Sequence, residues 1–402
     1  MSRMPSRSVP KLAIPVARSY VLVAAAIYLC DLYRQTRDHL TNGQGHPFGD
    51  DFINYWSGAY LAWHGRAIEV YDPAAFHAFQ QSVVGAPVGG YVYSYPPLLL
   101  ALTAPLALIP YVPALALWVA AGWFAFYRAL RLALPGRGAL LLALATPALL
   151  INAIGGQNGA WTAALFGGGL GLLNRRPVLA GALLGLLVFK PQLGILIPVA
   201  LTAGRHWRAL TAAIVTAVGL VALSAIFFGT EIWVDYFRNL DLLRYWILED
   251  GSGVWHRFVS VFVAARRLGA SVETAYLVQG IAAVLAGIAV GLVWFRNSPA
   301  GVKNAVVLLG TCLATPYLQD YDLVFGALVA AWLWQAPVVA GNAERALNIA
   351  AGLLLLLPLF AAALANLTGF SFGPAFIVPI FVVALRMSRQ GAANYGAAPA
   401  LT

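Results

Sequence analysis

Apolar runs follow one another along the 402-residue chain, separated by short clusters of charge, glycine and proline. Their lengths and spacing predict membrane-spanning helices near 15–32, 111–133, 139–153, 158–173, 207–228, 274–295, 303–317, 321–335, 346–366 and 372–386, with a shorter pair at 178–188 and 191–203. The expected fold is an all-α polytopic membrane protein of about twelve helices. The alternating strand-length segments of an outer-membrane barrel are absent. Two stretches interrupt the pattern, at 33–110 and 229–271, and read as external loops. In the first, Phe52, Tyr55, Trp56, Ala59, Tyr60 and Trp63 share one face of a predicted helix. A second helix is expected to begin at Asp72-Pro73, with the aspartate as its cap and the proline in its first position. Residues 95–110 are apolar enough to span, but prolines at 96, 97, 105 and 110 favour a helix lying in or dipping into the outer leaflet. No repeat or linker divides the chain. Residues 1–402 are expected to form one membrane domain, with an Ala/Gly-rich flexible tail at 391–402.

Composition supports this reading. The chain is 61% hydrophobic and 10% charged, with a mean hydropathy of +0.77; a soluble protein would carry about a quarter charged residues. The net charge of +10 invites a nucleic-acid reading, which its distribution opposes. With the N-terminus inside, sixteen basic residues and one acid, Glu344, fall on the inner face, while eight basic residues and fourteen acids fall outside. The basic excess is therefore a topology signal, with no nucleic-acid partner implied. Arg3, Arg7, Lys11 and Arg18 precede the first apolar stretch, and no small-x-small cleavage site follows, so that stretch reads as an uncleaved span. Cys30 and Cys312 give neither metal spacing nor a disulfide signal. The six histidines form no metal-ligand pair, and no phosphate-binding Gly-rich loop supports an ATP-driven pump.

Chemistry concentrates in the external segments. Asp50 and Asp51 stand directly before the predicted helix at Phe52, in a chain with only 15 acids. One carboxylate suffices to cap that helix; the other is placed to act as a half-desolvated base at the outer leaflet. Lys190 sits between the two short apolar segments, each too short to cross the bilayer, and is expected at the tip of a hairpin below the outer surface. A cation there is either a snorkelling anchor or a ligand for a lipid-linked phosphate. Arg257, with His256 beside it, is a second phosphate candidate or else a loop anchor. Gly155-Gly156-Gln157-Asn158-Gly159 forms an external turn whose two amides can both donate to and accept from sugar hydroxyls. Asp320, Tyr321 and Asp322 crowd another external turn, where Asp320 could equally cap the next helix.

In their order and spacing these residues resemble glycosyltransferase family 87. The resemblance rests on Asp51-Phe52-x-x-Tyr55, Tyr71-Asp72-Pro73, Tyr95-Pro96-Pro97-Leu98, Gly156-Gln157-Asn158, Lys190-Pro191 and Pro316-x-x-x-Asp320-Tyr321-Asp322, and runs from about residue 45 to 325. It implies a C-type glycosyltransferase fold in a bacterial plasma membrane. It also implies a polyprenyl-phosphate sugar as donor, a lipid or glycan as acceptor, and a site on the external face. Asp51 matches the family's base, and Asp50 beside it leaves the choice between neighbours open. Mannose is the sugar the resemblance suggests. Lys190, Arg257 and His256 would hold the donor phosphate; Gln157, Asn158, Tyr55, Asp320, Tyr321 and Asp322 would face sugar or acceptor. Direct displacement with inversion requires no metal, although paired acids could take a divalent ion. The competing reading is a lipid or sugar transporter or flippase, for which the short 178–203 hairpin is the one supporting feature.

Overall fold

The structure is a computed structural model that describes residues 13–36, 40–41, 45–251, 254–336 and 342–396. Its described residues are mostly helical, and their only β pairings are two isolated bridges. Among them, four helices are long and apolar enough to cross a membrane: Tyr111–Ala133, Trp207–Phe228, Val272–Phe295 and Asn342–Thr368. A fifth span results if Arg137–Ala145 and Pro147–Ile154 count as one helix bent by 55°. The bend falls at Thr146-Pro147, where proline cannot continue the ladder and instead opens the next helix. Several other segments of the twelve-helix expectation are shorter apolar helices, such as Pro177–Phe189, Pro191–Ala203 and Ala300–Ala314. The last helix, Gly373–Gly396, continues into the stretch expected as a flexible tail, so 391–396 are helical. Residues 397–402 lie outside the described residues.

Two cores organise the chain. The larger is built around the Ala300–Ala314 and Phe325–Gln335 helices, which are buried over most of their length. The second belongs to the 33–110 stretch: Phe52, Tyr55, Tyr71, Phe76, Tyr93 and Leu98–100 pack with Tyr111 and, from a distant part of the chain, Phe189. The Phe52–Trp63 helix is buried on nearly every face, and only its end, at Trp63, is clearly exposed. The expected one-sided amphipathic helix is therefore enclosed by protein rather than laid on a surface. The reason is tertiary: Leu98–Thr103 and the 3₁₀ turn Ala104–Leu108 cover the face that would otherwise meet lipid. Residues 98–100 are buried against it, while Leu102 and Leu108 face outward. The Asp72 expectation holds in detail. Its Oδ1 accepts from the backbone N–H of Ala74 and Ala75, with Pro73 in the first helical position.

Candidate active site

The site lies where the two cores meet, and four loops build it around the turn at 319–322. The first is the turn before Phe52–Trp63. Gly49 and Asp50 both have left-handed backbones, with φ of +76° and +42°. Aspartate is among the few side-chain-bearing residues that tolerate this region. The double turn places Asp51 at the N-cap, yet its carboxylate makes no cap hydrogen bond. It accepts instead from Gln157 Nε2, 106 residues away. Asp50 accepts from the Tyr91 hydroxyl.

The second loop carries Gln157 and Asn158, which are 2% and 1% exposed. Gly156 has φ +54°, and a Cβ there would collide with the Cβ of Phe52. Gly159 passes so close to the Tyr321 carbonyl that a Cβ would overlap it. The glycines of this motif thus let the turn press against both the Asp51 helix and the Tyr321 turn. Gly159→Ala should force these two loops apart. We expect a loss of about 1–3 kcal/mol in stability, read as a lower thermal midpoint in detergent, with transfer activity falling in parallel. Asn158 Nδ2 donates to the hydroxyls of Tyr55 and Tyr95, both at 3.0 Å, and these two share a hydrogen bond of 2.8 Å. Burial above all, with nearby acidic groups, raises both phenols well above their ordinary range, so they serve as neutral hydrogen-bonding groups.

The third and fourth loops bring the cations. Lys190, 4% exposed, follows the 3₁₀ turn Leu186–Phe189. Its Nζ donates to Asp322 Oδ1 at 2.8 Å and lies 4.6 Å from the centre of the Tyr321 ring. Asp322 also closes a capping box by accepting from the Gln319 N–H. Gln319 is the N-cap of this turn, and both acids take backbone N–H groups in it, since Asp320 Oδ1 accepts from Tyr321 N–H at 2.7 Å. Arg257 approaches the same ring, at 5.5 Å, from the 3₁₀ turn Trp255–Arg257. An antiparallel bridge between Phe258 and Gln319 holds the two loops together. Arg257 reaches Asp320 Oδ1 at 3.4 Å and Asp50 Oδ2 at 3.6 Å. Both contacts are loose, whereas the Lys190 pair is short and closed. His256 is half-buried on the same turn, and residues 252 and 253 before it lie outside the described residues.

The electrostatics single out Asp51. Burial, then the neighbouring Asp50, push its carboxyl up to about 6 against the pull of Arg257, Gln157 and Lys190. Part of the side chain still reaches solvent. Burial raises Asp320 as well, opposed chiefly by Arg257. Among the described residues no three His, Cys, Asp or Glu side chains are grouped to hold a metal ion.

The structure thus gathers Asp50, Asp51, Tyr55, Gln157, Asn158, Lys190, Arg257, Asp320, Tyr321 and Asp322 into one connected cluster. The profile of glycosyltransferase family 87 matches residues 93–316, more than half of the chain. The chain belongs to glycosyltransferase family 87. The matched segment of this glycosyltransferase takes in Gln157, Asn158, Lys190 and Arg257; it begins after Asp51 and ends before Asp320. No curated protein and no solved structure matches the chain. Four further residues that contact the cluster escape sequence reasoning or enter it only as motif. Tyr95 supplies a hydroxyl, Tyr91 holds Asp50, and Trp118 stacks on Tyr55 with ring centres 5.1 Å apart. Asn152 donates to the Tyr321 carbonyl at 2.9 Å. Tyr91, Tyr93 and Tyr95 alternate in an extended segment, which puts their side chains on one face; that periodicity is the signal available in the sequence.

Proposed function

We propose that this family 87 enzyme transfers a hexose, mannose by family resemblance, from a polyprenyl phosphate to a lipid or glycan acceptor at the external membrane face, with inversion and with Asp51 as base. The observation that carries the proposal is a carboxylate at a helix N-terminus that makes no cap hydrogen bond, the first N–H groups of the helix being met by the backbone carbonyls of Gly49, Asp50 and Asp51. That carboxylate is held instead by a buried amide, beside a loosely paired guanidinium. A base near pH 6 is matched to work at neutral pH.

The chemistry balances with few groups. The acceptor hydroxyl passes its proton to Asp51 as its oxygen bonds to the anomeric carbon. The bond from that carbon to the phosphate oxygen breaks, and the electron pair leaves with the polyprenyl phosphate. Arg257 is the group suited to meet that phosphate, because its present contacts are long enough to be exchanged. Lys190, already committed to Asp322, contributes positive charge at short range without having to move. Gln157, Asn158, Tyr55 and Tyr95 supply neutral donors and acceptors for sugar hydroxyls.

Reconstitution with radiolabelled polyprenyl-phosphate mannose and a membrane lipid extract tests the proposal. Label should pass to a new lipid or glycan with wild type and not with Asp51→Asn. Transfer that survives Asp51→Asn and stops in Asp50→Asn would move the base by one residue. Label that only crosses the bilayer would instead mark a flippase. The pH profile gives an independent check. Under subsaturating donor the rate should climb through about pH 6 and level off above it, because only ionised Asp51 accepts the proton. Arg257→Gln removes the largest influence holding that carboxyl down, so its ascending limb should lie at higher pH than in wild type.

A further inference from the structure

A cavity of about 480 Å³ lies between the Ala13–Thr36, Tyr111–Ala133, Pro147–Ile154 and Gly159–Leu172 helices. Its walls are apolar and aromatic, with Tyr28, Trp118, Trp123 and Trp161 prominent. Ala116 and Ala120 in the wall are exposed, so the cavity opens to the outside of the helix bundle. Its inner end reaches the candidate active site at Asn152 and Gln157. Gln157 is the residue whose Nε2 holds Asp51, and Trp118 is the ring stacked on Tyr55.

Two features say what the cavity receives. First, no lysine or arginine lines it. The chain of a polyprenyl phosphate begins at its phosphate, so a channel for that chain should open beside a cation; the cations Lys190 and Arg257 stand instead at the ring of Tyr321. Second, the buried Oε1 of Gln157 and Nε1 of Trp161 have no hydrogen-bond partner. One is an acceptor and the other a donor, and a hydroxyl can satisfy either kind. A buried amide left in this state points to a missing polar partner, which lipid tails cannot supply.

We infer that this cavity takes the apolar portion of an uncharged, hydroxyl-bearing lipid acceptor and presents its hydroxyl beside Gln157, within reach of Asp51. The inference rests on the proposed function and narrows its acceptor to a lipid.

The test is photolabelling in phosphatidylcholine nanodiscs with an alkyl glucoside that carries a diazirine in its chain. Cross-linked peptides should come from 116–123 and 149–161. Unlabelled alkyl glucoside should compete, and polyprenyl phosphate should not. Filling the cavity by Ala153→Trp, or by Ala120→Trp should the first fail to fold, should cut labelling about tenfold. Asp51→Asn should label like wild type, because labelling needs no turnover; loss of transfer and loss of labelling are therefore separate results. Displacement of the label by polyprenyl phosphate would overturn the inference by giving the cavity to the donor. Equal labelling of the same peptides by a diazirine phosphatidylcholine would overturn it by making this a groove for bulk lipid.

Discussion

Asp51→Asn should give an enzyme that is both inactive and sturdier. Removing the proposed general base should lower the chemical step by about 10²–10⁴, read as initial rate of label transfer at saturating donor. Stability should move the other way. The carboxyl is raised in the folded protein from an ordinary value of 3.8 to about 6, chiefly by burial. Below the lower value both folded and unfolded chains hold the proton. Between the two values the unfolded chain has released it while the folded chain keeps it, so stability falls as pH rises through this window. Above it, the ionised carboxylate weakens the fold by about 1–3 kcal/mol, the lower figure allowing for its partial contact with solvent. Asparagine carries no charge and can still accept from Gln157. The variant should therefore melt later than wild type at neutral pH and match it near pH 4, by fluorescence-detected melting in detergent. Equal melting at both pH values would remove the claim that this carboxylate is held under strain.

The second large effect concerns Lys190 and Asp322. Both are almost completely buried, and their charges meet at 2.8 Å. Removing either one leaves an uncompensated charge in a poorly hydrated place, at a cost of about 3–5 kcal/mol. Lys190→Met alone should express poorly and melt early. Lys190→Met with Asp322→Asn should recover most of that loss, since both charges go together and asparagine still accepts from the Gln319 N–H. On the proposed mechanism the recovered double variant should remain slow, because the ammonium assigned to the departing phosphate is gone. A double variant that melts no later than the single one would show that the two residues are not each other's counter-ion. Arg257 differs in kind. It is more exposed and its contacts are loose, so its replacement should affect donor use far more than folding.

How much of this was legible in the sequence depended on the distance each signal spans. Asp72-Pro73 is a local device, complete within four residues, and its hydrogen bonds follow the expectation. The apolar runs were legible for the same reason, since length and composition alone mark a helix for the membrane. Asp51 was harder. Its neighbours announce a helix cap, and only Gln157, 106 residues on, takes its carboxylate elsewhere. Lys190 and Asp322 each stood out as chemistry, but nothing local says that they neutralise one another across 132 residues. The Phe52–Trp63 helix shows the opposite limit. Its aromatic spacing reads as one apolar face, and burial on the other faces comes from segments whose docking no periodicity encodes. The segments between the apolar runs are the least legible in sequence, because their partners are chosen by tertiary folding.

The left-handed backbone at position 50 decides which substitutions there can be interpreted. Most side chains would unsettle the turn itself, so a broad panel would mainly report misfolding; asparagine and glycine fit the same backbone. Asp50→Asn isolates electric charge from shape. It deletes the second strongest influence raising Asp51, so a well-folded variant of this kind should become active in more acidic medium than its parent, an acid-tolerant enzyme obtained by a change outside the reacting pair.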